Sequence, residues 1–197
     1  MSVSLPWDWS LWLALHLLPE AERHSAKDLL DALNTLDRYA KQFGTDLALF
    51  DFSASNDKQG WDFIAARDGA ITVYNFRKML DRVTSLLHLC PTLQAKTSRE
   101  KLRLLKNKFD HRIPAMSVRS GVAHAAEFAG ALQSHALLIN KAFVYLSNNL
   151  QGRKYIATVN KRVVTYDISS ATLDLLNAIT QELREYITAA WPKNPWP

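Results

Sequence analysis

Residues 25–44 read Ser25-Ala-Lys-Asp-Leu-Leu-Asp-Ala-Leu-Asn-Thr-Leu-Asp-Arg-Tyr-Ala-Lys-Gln-Phe-Gly44. Leu29, Leu30, Leu33, Leu36 and either Tyr39 or Ala40 recur at the three- and four-residue spacing that puts side chains on one helical stripe. Ser25 suits an N-cap. Gly44 falls where a glycine commonly ends a helix, and this predicts a helix over 25–43. The piece from Thr45 to Gly60 is rich in Asp, Ser and Asn and reads as a loop with at most a short helix.

The same period returns further along. Phe76, Leu80, Val83, Leu87 and Cys90 form the stripe of a helix over about 61–89, with Gly69 as a point of kinking and Pro91 as its stop. Thr97 or Ser98 caps a short, very basic helix, Arg99 to about Asp110. After the break at His111-Arg112-Ile113-Pro114, another long helix is expected from about Met116 to Asn148, followed by a turn over 149–152. The period then falls to two. Arg153–Val159 and Arg162–Ile168 are rich in Val, Ile, Thr and Tyr, with Asn160-Lys161 between them, which is a hairpin pattern over about 153–168. Ser169-Ser170 caps a last helix, about 170–190, with Leu173, Leu176, Ile179, Leu183 and Ile187 as its stripe. The tail from Trp191 holds three prolines, Pro192, Pro195 and Pro197, and is expected to pack as an extended arm.

These segments predict a mainly all-α fold. It is an up-and-down bundle of four to five helices, with a β-hairpin before the last one. The 197 residues, 48% of them hydrophobic, suit one domain over 1–197. Six glycines are few for a fold of many tight turns.

Composition also bounds function. The single cysteine, Cys90, excludes an internal disulfide. It follows an apolar run and reads as a buried, inert thiol rather than a nucleophile. No zinc-finger spacing and no His-Glu-x-x-His occurs. The N-terminal stretch with Trp7, Trp9 and Trp12 lacks a basic leader region. It is broken by Asp8, His16 and prolines, so neither a signal peptide nor a membrane span is expected, and the tryptophans should pack on the protein body. The expected setting is cytoplasmic. A net charge of +5 is compatible with a polyanionic partner without requiring one.

One segment suggests chemistry: Arg119-Ser120-Gly121-Val122-Ala123-His124. At roughly 100° per residue the Arg and His differ by about 140° around a helix, so they do not stack but can flank one cleft. A histidine takes or gives a proton near neutrality. An arginine clamps a phosphate and stabilises charge as it builds. RNA brings its own nucleophile, the 2′-hydroxyl. A second Arg and His at similar spacing, Arg82 and His88, lie within a Leu-rich helix, where His88 reads as a packed or surface residue.

The phrase Arg-Ser-Gly-Val-Ala-His resembles the signature of HEPN domains, which are helical bundles of similar size with the motif at the head of a late helix. The resemblance implies a homodimer whose motifs meet across the interface. It also implies metal-independent endoribonuclease activity that leaves a 2′,3′-cyclic phosphate, often in a toxin or a phage-defence component with an antitoxin-like partner. It assigns catalysis to Arg119 and His124, with Ser120 as the accessory polar residue where asparagine is commoner. The alternative within the resemblance is a non-catalytic module that binds RNA, nucleotides or protein. No cofactor is implied.

Just ahead of the motif, Arg99, Arg103, Lys106 and Arg112 are the residues expected to hold a nucleic-acid backbone, if their helix borders the cleft. Otherwise they form a solvated helix face. Arg153, Lys154, Lys161 and Arg162 cluster at the hairpin ends and read as charges guarding an edge strand.

Overall fold

The computed structural model describes residues 9–56, 60–115, 137–139, 142–144, 149–159 and 161–193. It is mainly α-helical. In chain order come α1 (Trp9–Leu13) and a 3-10 turn (Ala14–Leu17), then α2 (Glu20–Ser55), α3 (Trp61–His88), α4 (Pro91–Gln94) and α5 (Arg99–Arg112). The strands are β1 (Leu137–Ile139), β2 (Ala142–Val144), β3 (Asn149–Gln151), β4 (Lys154–Val159) and β5 (Arg162–Asp167), and α6 (Ser170–Ala190) closes the order.

Helix α2 begins at Glu20, runs straight through the expected end at Gly44 and through most of the expected loop, to Ser55. The apolar stripe explains this, because Ala40, Phe43, Leu47 and Phe50 extend it without a change of phase and are all buried. Gly44 lies against Leu173 of α6 and marks a close approach rather than a terminus. Asp46, one of the polar residues that suggested a loop, is buried instead. Its carboxylate accepts from Gln42 Nε2 at 2.9 Å and from Thr72 Oγ1 at 3.1 Å. A polar residue so satisfied does not interrupt a helix.

The turn into α3 is held by Ser53, whose hydroxyl accepts the Asp62 N–H at 3.0 Å, and by Gly60 in the left-handed region at φ 95°. Helix α3 then packs antiparallel along α2. Its expected stripe is buried throughout, from Phe76 to Cys90. The helix ends at His88, and Pro91 opens α4, where a missing N–H costs nothing. Glu22 reaches across from α2 to cap this turn, accepting from the Thr92 N–H and from Thr92 Oγ1 at 2.8 Å. Ser98 caps α5 by accepting the Lys101 N–H, and Ser169 caps α6 by accepting the Thr172 N–H.

The expected helix over 116–148 is corrected where it is described. β1 and β2 pair antiparallel, with Leu137 opposite Val144 and Ile139 opposite Ala142. The two residues between them are Asn140-Lys141. The same dipeptide, Asn160-Lys161, separates β4 from β5, where Lys161 adopts φ 61°. Two apolar runs around a two-residue Asn-containing link are a hairpin pattern that outranks a weak helical period.

The second sheet has three strands rather than two, in the order β3-β4-β5. Asn149–Gln151, expected as a turn, is a strand, and Gly152 at φ 57° makes the reversal. Cross-strand partners Tyr155 and Tyr166 face the helices and are buried. Tyr166 donates to the Ala66 carbonyl at 3.0 Å, over the space left by Gly69. Gly69 is therefore a seat for the sheet. Arg153, expected to guard an edge, pairs with Asp51, lies over the Phe50 ring at 5.3 Å and donates to the Ile168 carbonyl.

Helix α6 buries Leu176, Ile179, Leu183 and Ile187, with Leu173 partly covered. Beyond it Trp191 turns extended and is buried, while Trp12 packs partly against the core. Among the described residues no helix is long and apolar enough to cross a membrane.

Candidate nucleic-acid interface

Helix α5 is amphipathic in three sectors. Leu102, Leu105 and Phe109 are buried, and Phe109 stacks on Phe76 of α3 with ring centroids 5.6 Å apart. On one flank, Arg99, Arg103, Lys106 and Asp110 follow spacings of four, three and four. At roughly 100° per residue these positions fall within about 60° of one another. On the other flank are Lys101, Lys108 and Arg112, roughly 180–220° away from Arg99. Lys101 lies over the Tyr186 ring of α6 at 4.6 Å, and Lys108 pairs with Glu182 of α6.

Of the four residues expected to hold a nucleic acid, three share a wall. Arg99, Arg103 and Lys106 line a cleft of about 300 Å³ between α5, α3 and α4. Arg112 is exposed on the opposite flank and does not join them. The four basic residues are therefore not one patch.

Sequence reasoning overlooked the α3 wall of this cleft. Arg77 is mostly buried there and meets two carboxylates, Asp110 of α5 and Asp81 one turn along its own helix. Lys106 also reaches Asp81, at 2.5 Å. Burial by itself would raise the Asp81 carboxyl. The hydrogen bonds from Arg77 and Lys106 outweigh burial and hold it below the ordinary carboxylate range. Burial would likewise depress the Arg77 guanidinium, but its two carboxylates raise it. The signal for this wall was spacing: Arg77 and Asp81 are four apart on α3.

At the other end of the cleft stands His88, exposed as a surface histidine. With its amide oxygen turned inward, Gln94 accepts from His88 Nδ1 at 2.6 Å and from Arg99 Nη2 at 3.0 Å. Gln94 thus ties the end of α3 to the start of α5. Arg103 pairs with Glu100 at 2.7 Å in an exposed i,i+3 contact, which is worth little in water.

Arg119, Ser120 and His124 lie outside the described residues. Among the described residues no group of three or more His, Cys, Asp or Glu side chains could hold a metal ion. Cys90 is fully buried, and its thiol is pushed up to about 11 by desolvation and the nearby Glu22 charge, so it is no nucleophile at neutral pH. No family model, curated protein or solved structure matches this chain.

Proposed function

We propose that this chain is a metal-independent endoribonuclease of HEPN type, working as a homodimer, with the α3–α5 cleft as the place where RNA phosphates rest. The observation that carries the reading is the shared wall of Arg99, Arg103 and Lys106, in the helix that leads to the Arg119–His124 motif. In this reading His124 takes the proton from a ribose 2′-hydroxyl, and the oxygen attacks the neighbouring phosphorus. Arg119 holds the non-bridging oxygens as their charge grows, and Ser120 adds a hydrogen bond. The bond to the 5′-oxygen breaks, that oxygen gains a proton, and the products are a 2′,3′-cyclic phosphate and a 5′-hydroxyl. A toxin or phage-defence role with an antitoxin-like partner goes with this chemistry.

One observation favours a second reading, a non-catalytic module that binds RNA or nucleotides. Two cations of the cleft, Arg77 and Lys106, are already engaged by Asp81 and Asp110, which weakens the cleft as a grip on a long backbone.

The test is cleavage of mixed single-stranded and transfer RNA in EDTA by wild type, His124→Ala, and the pair Arg99→Gln and Arg103→Gln. The enzyme reading expects EDTA-resistant cleavage that His124→Ala abolishes without unfolding the protein. It also expects the Arg pair to lower the salt dependence of binding by about 0.7 per lost phosphate contact on a log–log plot. RNA binding without cleavage by folded, dimeric wild type would select the second reading. Absence of both would overturn the two together.

A further inference from the structure

The α3–α5 cleft is polarised along its length. Arg77 faces Asp110 and Asp81 faces Lys106, so numbers rise on α3 as they fall on α5 and the helices run antiparallel. In this lower half each cation is matched by a carboxylate of the opposite wall. Further up the α3 wall come Thr84 and His88, neither of them acidic. There His88 joins Arg99 through Gln94, and Arg103 stands one turn along α5. Among the described residues the only carboxylate paired with either arginine is Glu100, exposed and outside the cleft wall. Positive charge is therefore concentrated at the head of the cleft, where the first turn of the 14-residue helix α5 adds its own partial positive charge.

We propose that the head of this cleft is a seat for a terminal phosphate monoester, carried on a mononucleotide or on the 5′ end of an RNA. Two arginines and an imidazole match a dianion better than the single charge of an internal phosphodiester. Gln94 holds the Arg99 guanidinium and accepts from His88 Nδ1, so Nε2 faces outwards and donates to a phosphate only in the imidazolium form of the ring. Thr84 and Thr97 line the same walls, with their hydroxyls donating to the Leu80 and Gln94 carbonyls, so the arginines carry the contact. Lower in the cleft the cations and carboxylates cancel, so a continuing backbone meets no net positive charge there and a chain end is favoured. The whole cleft, head and lower half together, measures about 300 Å³, at the small end of ligand sites, so it holds one nucleotide at most. The seat deepens the RNA reading given above, and it rests on that reading only for the identity of what carries the phosphate.

The experiment measures binding of the full chain to a short 2′-O-methylated oligonucleotide, which cannot be cleaved through its 2′-oxygen. The strand carries a 5′-phosphate or a 5′-hydroxyl, and adenosine monophosphate and adenosine serve as competitors. The expected result is binding of the phosphorylated strand at least roughly tenfold tighter, with the monophosphate competing and adenosine failing. Arg99→Gln and Arg103→Gln should erase that ratio with an unchanged melting temperature, whereas Arg112→Gln should keep it. Equal affinity for the two strands, without competition by the monophosphate, would overturn the seat while leaving RNA binding in place. Binding of the monophosphate with neither strand bound would uphold the seat and overturn the RNA reading. If an arginine variant unfolds, the wild-type strand ratio and the competition still decide.

Discussion

Arg77 of α3 clasps Asp110 of α5 through two parallel hydrogen bonds, Nε to Oδ1 at 2.5 Å and Nη2 to Oδ2 at 2.9 Å. The same guanidinium also pairs with Asp81 at 2.7 Å. Arg77 thus joins the two walls of the candidate cleft, alongside the Lys106–Asp81 pair and the Phe76–Phe109 stack.

Replacing it tests that role. Arg77→Ala should cost about 1–2 kcal/mol in urea unfolding, since two carboxylates lose a mostly buried partner. Arg77→Lys should recover only part of this, because an ammonium cannot reproduce the two-pronged contact. Full recovery by lysine would show that charge alone matters here. The Asp81 contribution is present above its ordinary pKa of 3.8 and is lost as pH falls through its depressed folded value. Arg77→Ala should therefore also flatten the acid limb of the stability curve.

Gly44 and Gly69, both inside described helices, should respond with opposite signs. A Cβ on Gly44 would meet Leu173 at 3.7 Å, an ordinary contact, so Gly44→Ala should stabilise by about 0.5–1 kcal/mol. A Cβ on Gly69 would collide with Tyr166 Oη and press on Phe43 at 3.3 Å, so Gly69→Ala should cost about 1–3 kcal/mol. Adding Tyr166→Phe removes the colliding oxygen, and the double variant should lose less than the two single losses summed. Strict additivity in melting experiments would argue against the docking contact.

Asp46 gives a pH prediction. Burial raises its carboxyl above the ordinary 3.8, and the hydrogen bonds from Gln42 and Thr72 only partly oppose this. A raised folded pKa means that stability is highest below the unfolded value and declines as pH rises through the folded one. Asp46→Asn should remove that decline and be at least as stable as wild type at neutral pH. A marked loss at pH 7 would show that the charged form is the one the site prefers.

Cys90 should be silent to thiol reagents at pH 8 in the folded chain and react fully in denaturant, because its thiol sits at about 11 and is buried. Above pH 9 the unfolded thiol ionises while the folded one does not, so stability should drift down towards pH 11. Rapid labelling of native protein would mean that this part of the core opens readily.

What the sequence determined by itself was set by local rules. Apolar spacing placed the stripes of α2, α3 and α6. Ser98 and Ser169 marked helix starts because a hydroxyl satisfies a first-turn N–H, whereas Ser25, read the same way, lies inside α2, which begins at Glu20. The alternation after Gly152 announced β4 and β5. The tertiary structure decided what depends on a distant neighbour. Gly44 reads as a stop until Leu173 explains it, and Gly69 reads as a kink until Tyr166 fills the space beside it. Asp46 suggests a loop until Thr72, 26 residues away, satisfies it. The basic residues of α5 show the division most directly. Charge in the sequence groups Arg112 with the stripe of Arg99, Arg103 and Lys106, although helical spacing already puts it roughly 220° from Arg99. Only the packing of α3 against α5 turns that stripe into a cleft, because Arg77, Asp81 and His88 reach it from another helix, and no local pattern encodes which helix that is.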